Sequence, residues 1–276
     1  MTLESKRKWV LPPKLYRVEN VIDSILKERS ITDVEKFFSS NPSDIPSPTK
    51  LFNTESASKK ILEHVKNGSK IVIHGDYDCD GICASSILWE FLYRDLSKYI
   101  GKRIDVVPYI PNRIDQGYGL TQNSLDDVLD LKADLLISVD CGVRDFDLIK
   151  EYRKKGLDFV ITDHHQPPSV FPNRLSYPLV HQAYPKHEYP FDEICGSAVA
   201  FLLVQRIKKL VGMESSIDEN TSGLDLTALA TVADIMPLTG VNRTFVKLGL
   251  SQMRKNPRKG LSYLMSKAKI DPKTLN

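Results

Sequence analysis

The sequence is short of the features that mark a chain for export or for a membrane. Four cysteines (79, 83, 141 and 195) among 276 residues are too few for a disulfide framework. The longest apolar run near the middle, Ala198 to Val204, falls far below a bilayer span. MTLESKRKWV opens with basic residues but no apolar stretch follows them, so no secretory signal is expected. A reducing, cytoplasmic setting without membrane contact is the simple expectation. No sign of charge dominates either, since 38 basic against 35 acidic residues leave a net +3. Clusters at Lys6-Arg7-Lys8, Arg153-Lys154-Lys155, Lys208-Lys209, Arg254-Lys255 and Arg258-Lys259 read as solvated surface. They permit a nucleic-acid ligand without arguing for one, because such binding needs local potential rather than a high total. Internal repeats and low-complexity segments are absent.

What is present is an ordinary globular composition, 41% hydrophobic and 26% charged, in a chain long enough for one large domain or two smaller ones. Residues 1–54 read as an N-terminal segment with helices near 19–28 and 31–39 and a linker, Asn41 to Pro48, rich in turn formers. From residue 55 helices and strands alternate. Glu55–Lys66 stops at Asn67-Gly68, and strands are expected at 71–73, 104–110, 134–139 and 157–162. Helices near 82–95, 121–131 and 145–155 separate them. The fold class expected is α/β, a mainly parallel, doubly wound sheet with helices on both faces, over residues 55–215. A helical segment, 216–276, follows within a run of helices near 196–211, 224–236, 242–253 and 259–268.

One stretch, IVIHGDYDCDGICAS at 71–85, sets aspartates at 76, 78 and 80 and closes them with a glycine. Like charges at this spacing repel, so something positive belongs among them. A calcium loop does not fit, because its twelfth position would be Ile87 rather than Glu, and a β-branched run rather than a helix precedes it. Ligands in doubly wound sheets bind beyond the carboxyl ends of the strands. There the first strand delivers His74, Asp76, Asp78 and Asp80, the third Asp140, and the fourth Asp163, His164 and His165. Carboxylates mixed with imidazoles suit a transition metal, with Mn²⁺ a natural occupant and Mg²⁺ or Co²⁺ the alternatives. Six or more candidate ligands suit a pair of ions, the standard device for attacking phosphorus. Metal-dependent phosphoester hydrolysis is the chemistry this placement predicts.

The motifs HGDYDCDG, SVDCGV, ITDHHQP, CGSAVAF and LATVADIMPLTGVNR occur in the order of the DHH phosphoesterase superfamily. The chain resembles that superfamily, and within it the RecJ branch of single-strand-specific DNA exonucleases, whose YIPNRIDQGYGL and N-terminal Trp9 segments it shares. The resemblance implies His74, Asp78 and Asp140 as ligands of one ion and Asp80, Asp140, His164 and Asp234 as ligands of the other, with Asp140 bridging. It also implies that Asp163 orients the histidines and that His165 meets the scissile phosphate. Gly196 and Ser197 would offer backbone N–H groups to a phosphate, and Arg113 and Arg243 would contact phosphates. The implied activity is Mn²⁺-dependent 5′→3′ degradation of single-stranded DNA to mononucleotides, as used in DNA repair and recombination. An activated water would attack in line and the 3′-oxygen would leave.

Several residues carry plainer readings beside these. Asp76 is either a turn former or a residue supporting the metal, Asp234 either a ligand or a helix terminator, and Arg113 either a phosphate contact or surface. Cys79 and Cys83 lack a second pair at zinc-ribbon distance and are read as small buried side chains. His181 and His187 fall in a loop where the branch often has an Asn-Pro turn, and are read as structural or surface residues. Two rival functions remain: a DHH oligoribonuclease or cyclic- or dinucleotide phosphodiesterase, and a non-catalytic scaffold of the same fold. The roughly seventy residues ahead of the first motif favour longer strands over dinucleotides, and the filled ligand positions favour catalysis. The DHH-associated and oligonucleotide-binding domains usual in the branch are not expected within these 276 residues. Weak, distributive cleavage is expected of this chain alone, which is either a piece of a longer protein or one that takes the missing cleft wall from a partner subunit or a second copy.

Overall fold

A computed structural model describes residues 21–172, 174–184 and 188–275. The Trp9 segment, the Lys6–Lys8 cluster and His187 lie outside the described residues. The chain forms two compact units, residues 1–39 and 40–276. In the first, helix α1 spans Val21–Glu28 and α2 spans Val34–Phe38. The division falls ahead of residue 54 because Ile45 and Leu51 are buried in the main core of the second unit.

In the second unit the turn formers make two 3₁₀ turns, Pro42–Asp44 and Pro48–Lys50, capped by the side chains of Asn41 and Ser47. Helix α3, Thr54–Asn67, ends as expected at Gly68, whose φ of 74° lets its N–H reach back to His64 and Val65. Strand β1, Ile71–Gly75, leads into α4, Cys79–Glu90, which continues through a π-helical stretch, Phe91–Leu96, into α5, Ser97–Ile100. Next come β2, Val106–Tyr109; α6, Gln122–Asp130; β3, Leu135–Val139; α7, Phe146–Lys154; and β4, Asp158–Thr162. Strand β5, Leu179–Val180, precedes α8, Gly196–Val211, and then α9, Leu224–Ala233; α10, Gly240–Lys255; and α11, Lys259–Lys267. A two-residue strand is too short to show a period, which is why β5 escapes the sequence pattern.

All neighbouring strands run parallel, in the order β2-β1-β3-β4-β5. The near-continuous apolar runs of the inner strands follow from burial on both faces. Ile71, Ile73, Leu135, Ile137 and Val160 join the core built with Ile61 of α3, Leu88 of α4, Phe201 of α8 and Phe245 of α10. The alternate residues Val72, Leu136, Phe159 and Ile161 join a second core with Leu125 and Val128 of α6 and Ile149 and Tyr152 of α7. The strands end in step, with Gly75 opposite Val139, Val139 opposite Thr162, and Thr162 opposite Val180. Residues 76, 140, 163 and 181 therefore emerge together along one edge of the sheet.

Helices α9 and α10 meet closely at Gly249, where a Cβ would stand 2.4 Å from both the Ala228 side chain and the Leu224 carbonyl oxygen. Backbone cannot yield cheaply at such a distance. Gly249→Ala should therefore destabilise the protein by about 1–3 kcal/mol, read as a lower urea midpoint with an unchanged slope. A midpoint equal to that of the parent would show that the two helices separate freely.

Candidate metal centre

The aspartate triplet is arranged by the start of α4. Asp78 caps this helix, its carboxylate accepting the Gly81 N–H at 3.0 Å. Gly81 closes the triplet for a steric reason, since a Cβ there would lie 2.5 Å from the Asp76 backbone nitrogen and oxygen. The helix can therefore press directly on the end of β1, carrying Asp80 inward until it is buried. Asp76 is buried as well, and burial pushes its carboxyl above the usual range.

Asp80 is fixed by the N-terminus of α8. Its carboxylate accepts the Gly196 N–H at 2.6 Å and the Ser197 N–H at 2.7 Å, while the Ser197 hydroxyl donates to its carbonyl at 2.9 Å. These are donors that a helix start leaves without intrahelical partners, and the helix dipole favours the negative charge. The two N–H groups expected to meet a phosphate thus serve Asp80 instead, a correction to the reading of Gly196 and Ser197. Gly196 has a second duty. A Cβ at that position would sit 2.6 Å from Asp140 Oδ1, so only glycine lets α8 approach both carboxylates.

Asp140 follows β3 with a left-handed φ of 63°, a conformation Asp tolerates better than most residues. Burial first, and then the charges of Asp80 and Asp163, push its carboxyl well above the ordinary range. His164 Nε2 faces three carboxylates, at 3.1 Å from Asp140 Oδ1, 3.5 Å from Asp234 Oδ2 and 3.7 Å from Asp80 Oδ2. Asp234 reaches this point because it ends α9, where Ile235 takes a positive φ of 57° and breaks the helix earlier than its sequence pattern suggests. Among the described residues, potential ligand atoms gather within 4.8 Å of one another in three sets: Asp80, His164 and Asp234; Asp76, Asp78 and Asp140; and Asp140, His164 and His165. Asp140 belongs to two of them.

His74 stands outside these three sets. It is fully buried in β1, and burial brings its imidazole down to about 4, which keeps it in the neutral form that ligates metals. Cys141 Sγ lies 3.7 Å from its Nδ1, leaving Nε2 as the atom without a partner. Asp140 Oδ1, His164 Nε2 and Asp234 Oδ2 are likewise buried without a hydrogen bond. These four ligand-type atoms lack hydrogen bonds, and three of them, His164 Nε2, Asp140 Oδ1 and Asp234 Oδ2, meet only as ion contacts, which fits the donor chemistry of a divalent cation. Cys79 and Cys83 are free thiols outside all three sets, in line with their reading as packing residues.

Asp163 works on the backbone rather than at the surface. It accepts the His164 and His165 N–H groups at 2.7 and 3.1 Å, the Val143 N–H at 2.9 Å, and His165 Nδ1 lies 2.8 Å away. Burial opposes its charge, but the bond and charge of His165 together with these N–H groups hold it below the usual value. His165 is the more exposed histidine, and the Tyr118 hydroxyl stands 2.9 Å from its Nε2.

A model of the DHH family, N-terminal domain, matches residues 70–231, more than half of the chain. The chain belongs to the DHH family. It is 31% identical over 248 residues to the single-stranded-DNA-specific exonuclease RecJ of Bacillus subtilis, covering 89% of this chain and 29% of that protein. The RecJ of Thermus thermophilus is 34% identical over 208 residues, covering 75% of this chain and 29% of the relative. The chain thus spans about three tenths of the length of these relatives. Among solved structures, an exonuclease RecJ bound to manganese aligns with a TM-score of 0.67 at 32% identity, over 80% of this chain and 53% of that one. RecJ from T. thermophilus in complex with Mn²⁺ aligns with a TM-score of 0.68 at 28% identity, over 90% and 33%.

Two further expected residues are Arg113 and Arg243. Arg113 is exposed and stands over the Tyr77 ring at 5.1 Å, beside the aspartate triplet. Arg243 lies in the first turn of α10. Tyr118 was missed although its motif was visible. The signal was an aromatic residue between Gly117 and Gly119, both at a φ of 75°, which is the pattern of a loop tip turned to present one side chain.

Two aspartates of this centre should respond oppositely to neutralisation in chelated protein. Asp80→Asn removes an acceptor from one of two buried N–H groups and should cost about 1–3 kcal/mol. Asp140→Asn removes a charge that burial and its neighbours disfavour, so it should raise stability at neutral pH. That gain should fade as the pH falls through the carboxylate range, where Asp140 protonates anyway. Urea denaturation in chelator at pH 7 and pH 4 measures both, and destabilisation by Asp140→Asn at pH 7 would contradict the charge crowding.

Proposed function

We propose that this chain is a divalent-metal-dependent phosphodiesterase core that degrades single-stranded DNA exonucleolytically, 5′→3′, to mononucleotides. The observation that carries the reading is the set of buried ligand-type atoms without hydrogen bonds, His74 Nε2, Asp140 Oδ1, His164 Nε2 and Asp234 Oδ2, gathered beyond the carboxyl edge of a parallel sheet. The RecJ relatives, named for single-stranded DNA and solved with Mn²⁺ or Mg²⁺, support the substrate and the metal. In this proposal His74, Asp78 and Asp140 hold one ion, and Asp80, Asp140, His164 and Asp234 hold the second. The body of residues 55–215 supplies most of the centre, and the helical segment 216–276 completes it through Asp234. Bound there, the ions would supply Lewis-acid charge and lower the pKa of a water at neutral pH.

The chain's own residues do the rest. Asp80 and Asp140 keep their oxygens fixed because α8 packs on both, so little reorganisation accompanies catalysis. Asp163 holds His165 with its outer nitrogen toward Tyr118 and solvent, where a phosphate would lie. His165 then stabilises charge growing on the non-bridging phosphate oxygens. Arg113, at the rim, would hold the phosphate of the strand end.

The test is a nuclease assay with Mn²⁺ on end-labelled single strands, with duplex, RNA and dinucleotides alongside. Mononucleotides released from the 5′ end of single-stranded DNA are expected. Preference for RNA or dinucleotides would move the chain to another branch of DHH chemistry. Asp140→Ala should abolish activity and weaken Mn²⁺ binding in isothermal titration more than any other single ligand change, because its carboxylate belongs to both sites. His165→Ala should retain Mn²⁺ while kcat falls by about 10²–10³, whereas His164→Ala should lose metal affinity. Equal loss of metal in the two histidine variants would contradict the division of roles.

A further inference from the structure

His181 reads from sequence as a structural or surface residue, and in the structure it and its neighbour Gln182 are buried, at 1% and 3% exposure. Their side chains converge on the two histidines of the centre from behind. His181 Nε2 lies 2.8 Å from the His165 carbonyl oxygen, and Gln182 Nε2 donates to the His164 carbonyl at 2.9 Å. The Ala183 N–H donates to His181 Nδ1 at 3.1 Å, so the proton of the neutral ring sits on Nε2 and points at the carbonyl.

The hydrogen-bond accounting around this turn is unusual. The N–H groups of His164 and His165 both go to the Asp163 carboxylate, and their carbonyls go to Gln182 and His181. Each main-chain polar group of the two residues is thus held by a side chain, with neither helix nor ladder fixing the turn. Buried main-chain groups demand partners, so the conformation of the turn, and with it the aim of both imidazoles, depends on these side chains. Strand β5 exists to deliver them. It pairs with β4 through Thr162 opposite Val180, its outer edge is held by the Asn53 side-chain amide on the Leu179 carbonyl at 3.1 Å, and 181 follows at once.

We propose that His181 and Gln182 are positioning residues, His181 aiming His165 at the substrate phosphate and Gln182 aiming His164 at the metal. The inference rests on the roles given above to His164 and His165 and extends them to a pair of residues that touch neither substrate nor ion. Partners of this kind behind a ligand are worth about 10–100-fold in metal affinity or activity.

The two should fail in different ways, which a generally structural role would not produce. Gln182→Met keeps the volume and loses the donor. Its Mn²⁺ affinity by isothermal titration should fall by about 10–100-fold, in the direction set by His164→Ala. His181→Phe keeps a ring and loses both bonds. It should retain Mn²⁺ affinity and KM for a single strand while kcat falls by about 10–100-fold. His181→Gln restores an amide N–H near the Nε2 position and should recover most of that kcat. Unfolding midpoints establish that each variant is folded. Should His181→Phe not fold, His181→Gln and Gln182→Met carry the test, with near-parental kcat expected of the former and weakened metal binding of the latter. Unchanged affinity in Gln182→Met beside a weakened His164→Ala overturns the inference alone. Unchanged affinity in His164→Ala overturns the metal reading, and this inference with it. Equal kcat losses in His181→Phe and His181→Gln would show that the donor at Nε2 does not matter.

Discussion

Asp140 is a carboxylate buried among carboxylates, and much of the surrounding structure can be understood as a way of keeping it there. In water such groups would separate; here β3 holds Asp140 in place while Asp80 and Asp163 approach from other elements. Asp80 is tolerated because the start of α8 donates two N–H groups to it, and Asp163 because three backbone N–H groups and His165 surround it. Asp140 Oδ1 accepts no hydrogen bond and has only ion contacts, with His164 Nε2 at 3.1 Å and His165 Nδ1 at 3.8 Å. Two glycines, Gly81 and Gly196, allow helix termini to come close enough for this arrangement, and a methyl group at either would collide with it. A protein built for stability alone would replace these charges by apolar packing. Their retention at a sheet edge is the mark of a site meant for cations.

Placement follows from topology. Parallel strands ending in step bring residues far apart in sequence into one row, and α4 and α8 start beside that row with their N–H groups on its aspartates. Asp234 joins from α9, well beyond the sheet, because α9 and α10 pack with α4 and α8 in one core that leaves the end of α9 at the row. The centre therefore depends on the whole of the second unit rather than on one loop.

Much of this was legible in the sequence. The β-branched run ahead of His74, and the acids that directly follow the runs ending at Val139 and Thr162, placed the site at strand ends without any contact being known. The DHH motifs then assigned candidate ligands among them. What could not be read was the partner of each polar group. Gly196-Ser197 has the look of a phosphate cradle, and only the packing of α4 against α8 shows that Asp80 occupies it. Leu179-Val180 is too short to announce a strand, so the function of His181 and Gln182 behind the paired histidines was hidden with it. Tyr118 carried a turn signal, but loop closure onto His165 is a long-range contact that no local pattern encodes.

The central claim is that this row of acids and imidazoles is a two-cation site shared through Asp140. Anomalous diffraction from crystals grown with Mn²⁺ tests it directly. The account predicts two peaks about 3.5–4 Å apart, both within bonding distance of the Asp140 carboxylate, one also against His164 and the other against His74. A single peak, or two peaks that do not share Asp140, would contradict it.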